Sequence, residues 1–267
     1  MSPLFVRAAL LAALITAACS DEIEIDDHDE VYMKASSPDT VTCAASIEWA
    51  HVRARSIEGA MRRALRRGEI VELFAHDPDH TVPIEKIEQT FALATKHGLP
   101  FVTYRQIALG EAKGASLAFS FDDNTIDDWY ALRPLLDKYG AKVTFFVSKY
   151  PQLSDAQRAE LQALAHDGHD IEYHTTHHED APSYVAAHGM AAYLADDIEP
   201  GLKAMIADGY DPIVFAYPFG FRTAELDDEL LTRFALLRSV WHECPRDRKP
   251  GPHGHADAEA DLDVETE

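Results

Sequence analysis

The sequence predicts an α/β fold built on a parallel sheet, open or closed into a barrel. Three observations predict it. Short apolar runs alternate with amphipathic segments through most of the 267 residues, the signature of repeated strand–helix–strand units. The stretch from Ser116 to Val147 is the clearest such unit. Residues able to do chemistry stand at the carboxyl ends of the apolar runs, where ligands bind in such folds.

The chain opens with an export signal. Arg7 is its positive region and Ala8 to Ala18 an apolar, small-residue run too short to span a membrane. Thr16-Ala17-Ala18-Cys19 looks like a lipobox, with Cys19 lipidated, although Thr16 is a weak choice there and plain cleavage stays open. Ser20 fits outer-membrane sorting. The acidic run Asp21 to Glu30 reads as a solvated tether, and the segment to about Asp39 as poorly ordered.

Val41 to Trp49 can hold a short strand. Ser56 to Arg67 reads as an amphipathic helix with Ile57, Met61, Ala64 and Leu65 on one face and its arginines as surface charges. Strand Ile70 to Ala75 follows, with His76 at its carboxyl end, then helix Ile84 to His97 and strand Phe101 to Tyr104. In the central unit, the strand Leu117 to Phe121 runs into Asp122 and Asp123. The next helix carries Ile126, Trp129, Leu132, Leu135 and Leu136 on one face, Gly140 ends it, and Val143 to Val147 is the next strand. Ser154 caps a helix to Asp167. Strand His169 to Tyr173 ends in His174-Thr175-Thr176-His177-His178. Ser183 to Asp208 reads as a long helical stretch, broken near Pro200. Strand Ile213 to Tyr217 ends in Pro218-Phe219-Gly220, Thr223 to Thr232 is a helix, and Phe234 to Val240 is the last strand. From Pro245 onward Pro, Gly, His and acids dominate, so residues 246–267 read as a disordered tail.

Composition excludes some functions. A hydrophobic share of 46% suits a buried core. The net charge of −22 argues against nucleic-acid binding through phosphate attraction. No strand is followed by G-x-G-x-x-G and no phosphate-binding loop occurs, so nothing points to a nucleotide.

Four strand ends remain: His76, Asp122/Asp123, His174/His178 and Pro218-Phe219-Gly220. The two acids could merely cap the next helix. A barrel, however, would bring all four ends to one face. Asp123, His174 and His178 would then give three ligands to a divalent ion, Zn2+ being the first choice, with one position open for water. Asp122 could take that water's proton, and a histidine outside the ligand set could protonate a leaving group.

These motifs carry a resemblance. F-S-F-D-D, H-T-T-H-H and A-Y-P-F-G, in that order between Ser116 and Val240, resemble the polysaccharide deacetylase family, carbohydrate esterase family 4. The resemblance implies a distorted (β/α) barrel with about seven parallel strands. It also implies Asp122 as general base, Asp123, His174 and His178 as metal ligands, and the Phe219 backbone N–H as an oxyanion donor. His177 is not carried over. The family's motif arginine is Ala216 in this chain, which removes a contact thought to orient the base.

The family's last motif, a strand end with a catalytic histidine, has no counterpart after Val240. Ile70 to Ile107 looks like that segment placed before the first motif, so the domain reads as circularly permuted, with His76 as general acid. The two new ends, near Val41 and Trp241, should then lie close together. Cys43 and Cys244 sit one on each. Export permits a disulfide between them; two separate thiols are the alternative.

The expected division is a lipoprotein-type signal over 1–18, an acidic tether over 19–40, the deacetylase-like domain over 41–245, and the tail. The expected activity is metal-dependent removal of N-acetyl groups from a cell-envelope or extracellular polysaccharide. The expected location is the envelope, lipid-anchored at the outer membrane, with secreted or periplasmic as alternatives. An O-acetyl esterase and a non-catalytic glycan-binding envelope protein are the rival readings.

Overall fold

The computed structural model describes residues 23–36 and 38–244. The expected export signal, Cys19 and the expected tail over 246–267 lie outside the described residues. Nine strands occur among these: β1 Tyr32–Met33, β2 Val41–Ser46, β3 Ile70–Ala75, β4 Phe101–Val102, β5 Ser116–Asp123, β6 Thr144–Val147, β7 Asp170–Tyr173, β8 Val214–Ala216 and β9 Leu236–Val240. Seven form a closed parallel barrel in the order β2-β3-β5-β6-β7-β8-β9. β9 closes it on β2, from Val41↔Leu237 to Ala44↔Val240. The alternation of elements left open sheet and barrel equally possible, and the structure is the barrel.

Barrel strands are covered on both sides, which is why they read as unbroken apolar runs. Every residue of β3 and β6 is buried. One set of side chains fills the barrel, including Ile70, Ala118, Phe146, Val214, Ala216 and Leu236. The other set, with Leu73, Phe119, Phe145 and Leu237, packs under the helices. Ser154 closes a capping box with Gln157, accepting the Gln157 N–H at 3.2 Å, and Thr223 caps Ala224–Leu230.

The amino end of the barrel is distorted. β1 lies antiparallel on Ile70 and Val71, on the edge of β3 that β2 takes at Leu73 and Phe74. On the far side β4 takes Leu117 and Ala118 of β5 before β6 joins at Ser120. The expected strand through Tyr104 is shorter, because Thr103 starts a helix, Tyr104–Ala108, with its own capping box. That helix closes the barrel floor: the Arg105 N–H donates to Asp170 Oδ2 at 3.0 Å, and its guanidinium lies 3.4 Å from buried Glu172.

Three further sequence expectations are corrected. Residues 23–36, within the expected tether, do not form a solvated run. Ile25 and Val31 are buried in the main core, and Ile25 N–H donates to Ser56 Oγ at 2.9 Å. Nor are all the arginines of Ala54–Arg67 surface charges. Arg63 is buried, lies 3.8 Å from the Tyr32 ring, and donates to the Asp26 carbonyl at 2.7 Å and to Asp29 at 2.5 Å. A basic helix face and an acidic segment, read separately as solvated, neutralise each other. The long helical stretch is also broken differently, at Gly189, into Ala181–His188 and Met190–Tyr193, and then turns π-helical over Leu194–Ile198 before Glu199–Ala207. No helix among the described residues is long and apolar enough to cross a membrane.

Candidate metal centre and active site

All seven barrel strands point the same way, so their carboxyl ends share one face. β5 extends through both of its acids, which pair in register with Phe146 and Val147. Asp122 and Asp123 are therefore strand residues, and the N-cap position of the next helix belongs to Thr125. Asp123 has φ of +86°, a conformation few non-glycine residues adopt and one that clusters at functional sites.

Asp123 Oδ1 lies 3.0 Å from His178 Nε2 and 3.6 Å from His174 Nε2. His174 Nδ1 is 2.8 Å from the Ala216 carbonyl oxygen. A carbonyl only accepts, so Nδ1 carries the proton and Nε2 turns a lone pair toward Asp123. Asp123 Oδ1 is buried and has no hydrogen-bond partner among the described residues. Two imidazoles and a carboxylate, with ligand atoms all within 4.8 Å of one another, are the donor set a divalent ion takes. The residues fit such an ion, and three ligands leave positions open.

Asp122 turns the other way, into the barrel, and is buried. Its Oδ2 accepts from Arg238 Nη2, while Oδ1 has no partner among the described residues. Arg238 is fully buried on β9, its guanidinium 4.9 Å from the Phe74 ring and 5.0 Å from the Phe146 ring. This corrects the expectation that Ala216 leaves the base without an arginine. Ala216 and Arg238 are register partners on neighbouring strands, so the guanidinium enters from one strand over.

His76 follows β3. Its Nδ1 lies 2.7 Å from Glu48 Oε2, and its N–H donates to Glu48 Oε1 at 2.8 Å. The His76 carbonyl accepts from Trp129 Nε1 at 2.9 Å. Burial disfavours the imidazolium, but the Glu48 hydrogen bond and the charges of Asp122, Glu48 and Asp123 prevail, and its pKa is pushed up to about 9. Glu48 and Arg238 were missed by sequence reasoning. Glu48 was findable as an acid at the carboxyl end of a barrel strand. Arg238 was findable as a charge within an apolar run.

Phe219 sits in the turn Pro218–Gly220 with φ of +58°; the residue is 53% exposed, and its ring centroid lies 4.7 Å from that of His178. The turn is pressed against β9: a Cβ on Gly220 would lie 2.3 Å from Val240 Cγ2, and Ser239 Oγ donates to the Gly220 carbonyl at 2.6 Å. The face thus gathers His76, Asp122, Asp123, His174, His178 and Phe219 from four strand ends. Cys43 and Cys244 are disulfide-bonded, with Cα atoms 6.1 Å apart.

Residues 110–232 match the family model described as polysaccharide deacetylase. That span contains Asp122, Asp123, His174, His178 and Phe219; Glu48, His76 and Arg238 lie outside it. No curated protein matches the chain at the sequence level. Among solved structures, the chain resembles the Streptococcus pyogenes deacetylase PplD in complex with acetate at 18% identity and a TM-score of 0.50, covering 62% of this chain and 80% of that one. It resembles IcaB from Ammonifex degensii at 18% identity and a TM-score of 0.53, covering 65% and 94%. A de-N-acetylase from Aggregatibacter actinomycetemcomitans aligns at 14% identity and a TM-score of 0.50, covering 64% and 93%. At these identities the likeness is one of fold.

Proposed function

Through residues 110–232 the chain belongs to the polysaccharide deacetylase family, and from that premise we propose that it is a metal-dependent hydrolase that removes N-acetyl groups from a cell-envelope or extracellular polysaccharide. One observation carries the reading: a carboxylate paired with Arg238, a three-donor centre and a histidine paired with Glu48 converge on one barrel face. A divalent ion held by Asp123, His174 and His178, Zn2+ by preference, would polarise the N-acetyl carbonyl and acidify a water. Asp122 accepts the proton as the water oxygen bonds to the carbonyl carbon. The Phe219 N–H donates to the oxyanion that forms. His76, protonated below about pH 9, gives its proton to the nitrogen as the C–N bond breaks, releasing acetate and a free amine. Arg238 orients Asp122, and Glu48 orients His76 and favours its protonated form.

The reading includes a circular permutation. The acid His76 precedes the matched span, β9 pairs with β2, and the disulfide ties the two ends the rearrangement would create. It also includes export by the segment before Cys19 and a lipid on Cys19, read from the sequence alone.

The test is acetate release from N-acetylglucosamine oligomers by the protein starting after Cys19, with and without a chelator, beside His76→Ala. The expected result is chelator-sensitive release that falls about 10²- to 10⁴-fold in the variant. Release that ignores the chelator would refute the metal, and release that ignores His76→Ala would refute the acid and the permuted placement together.

A further inference from the structure

The loop that carries His178 is held by a helix with no assigned part in the reaction. From Thr175 to Glu179 the backbone has left the β7 ladder, and Thr175 and His178 have φ of 70° and 66°, a region most side chains avoid. Four successive amides are nonetheless satisfied. Thr176 N–H donates to the Asp197 carbonyl at 2.8 Å. His177 N–H donates to Asp197 Oδ1 at 2.5 Å, and Glu179 N–H reaches Asp197 Oδ2 at 3.4 Å. Only His178 N–H turns elsewhere in this run, to Thr175 Oγ1 at 2.9 Å. The two oxygens of one fully buried carboxylate therefore grip the residues on either side of His178.

The helix is shaped for this contact. Asp197 lies in the π-helical turn Leu194–Ile198, a distortion that often marks functional sites. In a regular α-helix its carbonyl would accept from the Gly201 N–H. Here the Gly201 N–H donates to Thr176 Oγ1 at 3.0 Å, and the freed carbonyl takes the Thr176 N–H and the Tyr173 hydroxyl, the latter at 2.9 Å. Gly201 makes the approach possible, because a Cβ there would lie 2.6 Å from Tyr173 Oη and 3.0 Å from Thr176 Oγ1.

We propose that Asp197 is a positioning residue for the metal centre, a clamp that fixes the His178 backbone so that Nε2 faces Asp123. The proposal rests on the metal-centre reading above and adds a residue that touches neither ion nor substrate. Losses of 10- to 100-fold in metal affinity are typical when such supporting contacts are removed.

The test uses metal-free wild type, Asp197→Asn, Tyr173→Phe and His178→Ala, each titrated with Co2+ and read by its visible absorption. Thermal unfolding of the metal-free forms is measured alongside. Asp197→Asn sets an NH2 against one of the two amides and is expected to bind Co2+ 10- to 100-fold more weakly, with an altered spectrum. Tyr173→Phe is expected to shift affinity the same way by less, and it decides the matter if Asp197→Asn does not fold. Folded variants with wild-type affinity and spectrum, whatever their unfolding temperature, would overturn the clamp and leave the centre standing. A wild type that binds no Co2+ would overturn the centre and the clamp with it.

Discussion

His76 owes its proton to Glu48. Partial burial would ordinarily cost the imidazole its charge, and the carboxylate 2.7 Å from Nδ1, with the charges of Asp122 and Asp123, reverses that, lifting the pKa to about 9. In its proposed role His76 is the general acid. A general acid works only while protonated, so activity persists below this pKa and falls as pH rises through it. In the wild type the alkaline limb of kcat/KM is expected near pH 9. Glu48→Gln keeps a hydrogen-bonding oxygen but removes the charge, leaving Asp122 and Asp123 alone to oppose burial. The limb should move down, toward the ordinary histidine value of about 6.5. At pH 8 that is a loss of up to roughly 30-fold, shrinking toward unity below pH 6. A pH–rate profile of the two proteins checks it; coincident alkaline limbs would remove His76 from the acid's role.

At the scale of elements, what matters is which strand delivers a group rather than where the group stands in the sequence. Ala216 on β8 and Arg238 on β9 are level in the ladder and both face into the barrel. The arginine contact is therefore exchangeable between them in principle. Arg238→Ala strands the buried Asp122 without its partner and should lower kcat about 10²-fold, the cost of a misplaced catalytic group. Adding Ala216→Arg to that variant should return most of the loss, and steady-state kinetics of the pair measures it. No recovery in a folded double variant would mean that Arg238 acts by packing between Phe74 and Phe146 rather than by holding the base. The same case shows what the sequence conveyed and what it withheld. Barrel strands buried on both faces announce themselves as apolar runs, and a histidine or acid ending such a run is visible by position alone. The pairings were not visible, although Glu48 and Arg238 could each be picked out by position. Arg238, Glu48 and Asp197 meet their targets 116, 28 and 20 positions away, through register and helix geometry that no local pattern encodes. The segment before β2 misled for a related reason: its acids hide the two apolar anchors Ile25 and Val31, and its counter-charge Arg63 comes from another helix.

For the whole molecule, the decisive feature is that the first and last barrel strands are neighbours. β2 pairs with β9, so the two ends of the barrel segment meet beside each other instead of being separated by the sheet. A barrel closed by its own termini is vulnerable at that seam, since fraying of either end opens the ring. Cys43 lies within β2 and Cys244 just past β9, and their bond spans 201 positions. A cross-link closing a loop of that length removes about 5 kcal/mol of denatured-state freedom in the chain-entropy account. For a domain of this size that corresponds to roughly 10–20 °C in Tm. Cys43→Ser combined with Cys244→Ser is expected to fold, because the ladder between β2 and β9 is intact without the bond, but to melt lower by that amount. Calorimetry of the oxidised wild type, the reduced wild type and the double variant checks it, and reduction should reproduce the double variant. A Tm that changes by less than about 3 °C in both would mean that the ladder alone holds the seam and that the bond adds little to a closure the strands already secure.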